Sequence, residues 1–383
     1  MAVVLLDLPP RGLGECGDPA GRGRPGHPRA AGHDARLPHG EHAGGGLALV
    51  LDHRLFHALH GRVLGRPAHA AGLVGHRRHH RERADRPARG KQGKTEGVRP
   101  VKAELLFQTE TLAAHLDDPD WIVFDTRHDL ATLEKGRDAW KSAHIPGAYF
   151  MHMDEDLSGA KTGTNGRHPM PEIADFAARM NRCGVAPHRQ VVVYDDGGGS
   201  FAVRLWWMLR WLGHERVALL DGGFAAWKRE SRPLDDAVPA PRKGAFEPRP
   251  KTGITADRRQ VAALREDPAV KIVDARAATR FLGENETLDP VGGHIPGSVN
   301  RFWQHNLGYD GRFLSPEELH AEFLELLDGR TPENTIHSCG SGVTACHNLF
   351  AMELAGLKGS RLFPGSWSEW CADQSLPVAT GPK

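Results

Sequence analysis

The chain repeats itself. The stretches WIVFDTR at 121–127, AHIPGAYF at 143–150, VVVYDDGGG at 191–199 and LLDGGFAAW at 219–227 return in the same order. Their counterparts are VKIVDAR at 270–276, GHIPGSVN at 293–300, NTIHSCGSG at 334–342 and LFPGSWSEW at 362–370. Matched residues (Asp125 and Asp274, His144 and His294, Asp195 and Cys339, Trp227 and Trp370) stand 143 to 150 residues apart. Four ordered blocks at nearly constant separation require tandem copies of one unit, and they limit the fold to something a chain of about 130 residues can build twice.

Each copy alternates short apolar runs with longer helical patterns. IVFD, VVVYD and VALLD are continuous apolar runs closed by a carboxylate, the pattern of strands buried on both faces of a parallel sheet. FAVRLWWMLRWLGH and VTACHNLFAMELAGL have helical spacing and stop near glycine, while PEIADFAARMNRCG and SPEELHAEFLELL begin as helix N-termini do. The predicted class is α/β, each unit a small parallel sheet flanked by helices. Domain limits follow at 102–232 and 254–380, joined by the Pro-rich, aperiodic linker 233–253.

Residues 1–101 differ in kind. The first hundred residues hold 17 Lys and Arg against nine Asp and Glu, 11 of the 23 histidines, one Phe and no Trp, Tyr or Ser. They have neither strand nor helix periodicity, so they bury too little apolar surface to offset their ordering entropy. A nucleic-acid arm lacks aromatic residues for base stacking. A transit peptide should be rich in Ser and poor in acids, and Asp7 interrupts a secretory signal. The expectation is a disordered or spurious basic extension with no function assigned to it. The His clusters there lack the spacing of a closed metal site. Five sparse cysteines do not read as a disulfide framework, and with no targeting signal the expected compartment is the cytoplasm. No apolar run reaches the ~18 residues of a membrane span, so neither membrane nor nucleic acid is an expected partner.

The chemistry concentrates in SCGSGVTACHNLF at 338–350. In an open parallel sheet, reactions take place beyond the carboxyl ends of strands. Cys339 stands there, at the end of the strand NTIHS and before a helix opening near Thr344. Gly340 and Gly342 allow the intervening GSGVT run to curl, so that backbone N–H groups converge on the sulfur, bind an anion and favour the thiolate. The alternative for a lone cysteine is simple packing. In the first copy Asp195 takes the equivalent place, a scaffold without the nucleophile. Cys183, Cys346 and Cys371 read as structural. A C-x₅-R phosphatase loop needs an Arg clamp, but the sixth residue after Cys339 is Ala345.

The tandem units, the HIPG turns and the CGSGVT loop resemble the two-domain rhodanese-type sulfurtransferases over about residues 102–380. Within that family the loop is more similar to the 3-mercaptopyruvate branch than to the more basic thiosulfate branch. The resemblance implies tandem rhodanese-like domains, of which only the second is catalytic. It implies ping-pong transfer of a sulfane sulfur from 3-mercaptopyruvate or thiosulfate, through a Cys339 persulfide, to cyanide, a small thiol or thioredoxin. No metal or organic cofactor is implied. Thiosulfate:cyanide transfer as the main activity, or a noncatalytic binding module, are the alternatives.

Further roles come from the same resemblance. Asp154 and His168 match a relay with Ser341 that handles the proton for the enolate left by mercaptopyruvate. Arg280 matches the arginine that binds the substrate carboxylate, and Gly340, Gly342, Val343 and Thr344 complete the binding loop. Alone, His168 could equally be a surface-loop residue and Arg280 a solvated helix-face cation. A second substrate arginine usually lies nine positions beyond the first. Asp289 occupies that position here, which predicts weakened mercaptopyruvate binding. Arg204, Trp206 and Trp207 fall on a helix of the non-catalytic unit, with the tryptophans expected in packing.

Overall fold

The computed structural model describes residues 104–382; the expectations for 1–101, Cys16 included, lie outside that range. Two parallel sheets form, one per copy. The first contains β1 (Leu106–Phe107), β2 (Trp121–Asp125), β3 (Tyr149–Phe150), β4 (Gln190–Tyr194) and β5 (Val217–Leu220), in the order β1-β5-β4-β2-β3. The second contains β6 (Lys271–Asp274), β7 (Val299–Asn300), β8 (Thr335–Ser338) and β9 (Arg361–Leu362), in the order β7-β6-β8-β9. A parallel bridge from Thr255 to Leu362 stands where β1 pairs with β5 in the first sheet.

The register carries the repeat down to single residues. Asp125 pairs with Tyr194 in the first sheet and Asp274 with Ser338 in the second. The next residues, Asp195 and Cys339, therefore emerge at the same strand end. Both strand-end aspartates also hold the arginine two residues on. Asp125 binds Arg127 and Asp274 binds Arg276, each pair at 2.7 Å and nearly fully buried. The histidines of the HIPG turns serve the backbone: His144 Nδ1 lies 2.7 Å from Trp140 O and His294 Nδ1 2.8 Å from Phe281 O.

Two helices follow the equivalent loops, Ala202–Trp211 and Ala345–Leu354. Residues 202–209 of the first and 345–352 of the second are all buried. A helix buried all round has neighbours on every side, and here the two helices pack on each other between the sheets. Trp206 meets the edge of Phe350 at 4.9 Å between ring centroids. One apolar cluster accordingly runs from Val191, Leu205 and Trp206 through to Val343, Leu349 and Leu362. The Pro-rich stretch after the first unit is irregular, yet it is laid along that unit. Asp235 exchanges backbone hydrogen bonds with His144, Arg242 N donates to Arg182 O, and Phe246 enters the core. Among the described residues no helix is long and apolar enough to cross a membrane.

Candidate active site

Cys339 leaves β8 into a loop held on one side by residues 363–368. Its N–H donates to Ser366 Oγ at 3.0 Å, while Trp367 N donates to Cys339 O and Ser368 N to Gly340 O. The chain then turns back so that Gly342 N donates to Cys339 Sγ at 3.1 Å. Gly342 has φ +75°, and a methyl group there would overlap the carbonyl of Pro364. Positive φ and close backbone approach both require glycine at this position. Gly342→Ala is therefore expected to cost ~1–3 kcal/mol of stability and to move the donor N–H off the sulfur. A thermal melt together with single-turnover persulfide formation checks this; wild-type values in both would show that the loop does not depend on the turn.

The first copy shows what this loop is built to hold. Asp195 Oδ1 accepts from Gly197 N and Gly199 N at 2.8 Å, and Oδ2 accepts from Phe201 N and Ala202 N at 2.7 and 3.0 Å. Four backbone N–H groups close on one carboxylate, the arrangement of an anion nest at a helix start. In the first unit the anion is the fixed side chain of Asp195. In the second unit the position is taken by the Cys339 thiol. The remaining described cysteines are poor nucleophiles, because burial pushes the Cys183 and Cys371 thiols up to about 11 and Cys346 up to about 12.

The first unit reaches across to this loop. His168 Nδ1 lies 2.7 Å from Ser341 Oγ, a bond between residues 173 positions apart. Burial pushes the His168 imidazole down to about 3, so it is neutral at physiological pH. Asp154 Oδ1 is 3.9 Å from His168 Nε2, beyond hydrogen-bond reach, and is bonded instead by Lys161 Nζ at 2.6 Å. Burial raises the Asp154 carboxyl, but Lys161, His168 and His128 together hold it below its ordinary value. The structure thus brings Asp154, His168 and Ser341 together, with the serine–histidine contact made and the carboxylate facing it less closely.

Arg204 is the support beneath them. It is wholly buried, and its guanidinium donates to Gly342 O at 3.0 Å, His168 O at 3.1 Å and Leu157 O at 3.5 Å. One side chain of the first unit thereby ties the thiol loop to the histidine segment. Burial lowers the Arg204 pKa from its ordinary value, and attraction to the Cys346 and Cys339 sulfurs opposes that.

On the open side, a cavity of about 350 Å³ is lined by Cys339, Gly340, Ser341, Val343 and Thr344, with His168, Arg167 and Arg280 around it. Phe201, Leu288, Phe302 and Trp303 supply its apolar wall. Gly342 is absent from the lining, since its N–H turns to the sulfur. Arg280 is pinned by Glu286 (Nε to Oε2 3.0 Å, Nη2 to Oε1 2.8 Å) and by Asp289 (Nη2 to Oδ2 3.2 Å). Asp289 also pairs with Arg167, which arrives from the first unit. A methyl at Gly340 would stand 2.7 Å from Arg167 Nη2 and 3.5 Å from Arg280 Nη1. Neither of those two nitrogens donates a hydrogen bond among the described residues, so two guanidinium edges face the loop. Asp289, where the sequence suggested a lost cation, is the clamp that aims a pair of them. Arg167 was missed in the sequence; its only signal is adjacency to His168 in GRHPMPE.

Tandem parallel sheets thus carry a thiol at one strand end and a carboxylate in a backbone N–H nest at the equivalent end of the other copy. Residues 108–230 and 257–373 each match the family described as Rhodanese-like domain. A probable 3-mercaptopyruvate sulfurtransferase of Pseudomonas aeruginosa is 46% identical over 283 residues, covering 73% of this chain and 100% of the relative. The thiosulfate sulfurtransferase of Rattus norvegicus is 35% identical over 283 residues, covering 71% and 94%. The crystal structure of SseA, a 3-mercaptopyruvate sulfotransferase from Escherichia coli, superposes with a TM-score of 0.61 at 32% identity, over 68% of this chain and 98% of that one. The chain belongs to the rhodanese family, and it is a sulfurtransferase.

Proposed function

We propose that this sulfurtransferase takes its sulfur from 3-mercaptopyruvate, with Cys339 as carrier, residues 254–380 as the catalytic domain and residues 102–232 as its non-catalytic partner across the 233–253 linker. The observation that carries the choice of donor is the His168–Ser341 hydrogen bond beside the thiol. The Cys339 thiolate attacks the donor sulfur and an S–S bond forms. The C–S bond breaks and its electron pair leaves on carbon as the enolate of pyruvate. That carbon needs a proton. With His168 Nδ1–H donated to Ser341 Oγ, the hydroxyl proton is free to point into the cavity and reach it, while Nε2, on the Asp154 side, takes up the replacing proton. Arg280 and Arg167 hold the donor carboxylate. The persulfide then passes its outer sulfur to cyanide, a small thiol or thioredoxin, in the cytoplasm.

Thiosulfate is the second reading, favoured by the two inward guanidinium edges, which suit a dianion. Its sulfane sulfur transfers with sulfite as leaving group, and no carbon is protonated. Ser341→Ala and His168→Ala are therefore expected to depress kcat with mercaptopyruvate far more than with thiosulfate. Equal losses with both donors would mean that the pair only shapes the loop. A charge-assisted contact contributes ~1.5–3 kcal/mol, so Arg280→Ala and Arg167→Ala should each lower kcat/KM by roughly 10–150-fold for either donor. The effect of Arg167 is the sharper check, because the linear motif omits it. If Arg167→Ala turns over like wild type, the anion site rests on Arg280 alone.

A further inference from the structure

Behind the relay, two of its residues meet a third side chain that sulfur transfer does not use. His128 follows β2 and Arg127 on the first unit, and with Asp154 and His168 it offers three ligand atoms within 4.8 Å of one another. Both ring nitrogens of His128 and Oδ2 of Asp154 are buried with no hydrogen-bond partner. Buried polar atoms are almost always paired, so the orphaned nitrogens of His128 and Oδ2 of Asp154, on residues whose ligand atoms lie within 4.8 Å of one another, indicate a missing partner. The His128 ring is held edge-on to Phe201 and His152, at 5.1 and 5.7 Å between centroids.

We propose that His128, Asp154 and His168 form a binding site for a divalent transition-metal ion, zinc in the first place. Two imidazoles and one carboxylate are a ligand set that zinc accepts, leaving one position for water. Burial lowers the pKa of both histidines, so their lone pairs are available at neutral pH. Asp154 Oδ2 is free to ligate while Lys161 holds Oδ1, and the Lys161 side chain is half exposed and able to swing aside. His128 also lines a separate cavity of about 270 Å³ with Lys135 and Asp196. Ligation through His168 Nε2 leaves Nδ1 on Ser341 but takes away the site at which the replacing proton is accepted. Metal occupancy therefore holds the relay inactive. This consequence for turnover rests on the relay reading above; the binding does not.

The test is titration of the full chain with Zn²⁺ by calorimetry and with Co²⁺ by visible absorption, in wild type, Cys339→Ser, His128→Ala and Asp154→Asn. One equivalent should bind in wild type and Cys339→Ser alike, with cobalt d–d bands and no sulfur-to-cobalt charge-transfer band. Loss of even an outer-shell partner weakens metal binding by ~10–100-fold. His128→Ala and Asp154→Asn, two chemically different changes, should each weaken it by at least about tenfold. The proposal is overturned if wild type binds neither ion, if binding is lost in Cys339→Ser, or if both ligand variants bind like wild type. Relay failure is read separately, from the donor dependence of Ser341→Ala.

Discussion

Replacing Cys339 with serine is expected to end sulfur transfer. The hydroxyl fits the same loop and keeps the backbone bond to Ser366, but it neither ionises in the working range nor forms a persulfide. Loss of a catalytic nucleophile costs roughly three or more orders of magnitude in kcat, and Cys339→Ser should fall at least that far with every donor. Cys346→Ser should keep most of the activity. Cys346 donates to Gly342 O at 3.4 Å from inside its helix, and burial has already made it unreactive. Intact mass after incubation with a donor gives the direct reading, with one sulfur gained by wild type and by Cys346→Ser and none by Cys339→Ser. A sulfur adduct on Cys339→Ser would place the carrier elsewhere.

Arg204→Leu is expected to have the largest effect on stability. The leucine removes three donated hydrogen bonds to the carbonyls of Gly342, His168 and Leu157, in a place closed to solvent. Stranded buried acceptors and the lost packing of a wholly buried side chain together suggest a cost of ~3–5 kcal/mol, or a Tm lower by about 10 °C. Activity should fall too, although Arg204 touches no substrate, because the loop bearing Gly342 and the segment bearing His168 lose their common tie. Arg204→Lys should recover little, since a single ammonium cannot span the three carbonyls with the geometry of a guanidinium fork. A variant that melts and turns over like wild type would mean that the apolar contact between the two helices holds the loop unaided.

The strands were legible because VVVY and VALL are apolar at every position and lie in sheets covered on both faces. The helix Pro316–Leu327 announced itself through its Ser-Pro start, where the structure closes a Ser315–Glu318 capping box. The thiol loop was legible through the repeat, since the same strand end carries Asp195 in one copy and Cys339 in the other. His168 and Ser341 were named together only through family resemblance, because 173 residues separate them. Arg167 went unnoticed, its partner Asp289 being 122 residues away, and Arg204 was placed on a helix of the first unit with no role assigned to it.

Sequence alone determined whatever depends on near neighbours: two copies of one α/β unit, the glycines that let the loop turn, and a thiol where the other copy has a carboxylate. Periodicity and turn chemistry act over a few residues, so they are written locally. Only the tertiary structure decided how one unit completes the other's site. Docking the helices Ala202–Trp211 and Ala345–Leu354 sets Arg204 under the loop, His168 against Ser341 and Arg167 beside Arg280. Those contacts depend on the packing of side chains more than a hundred residues apart, and no local pattern of residues encodes that distance.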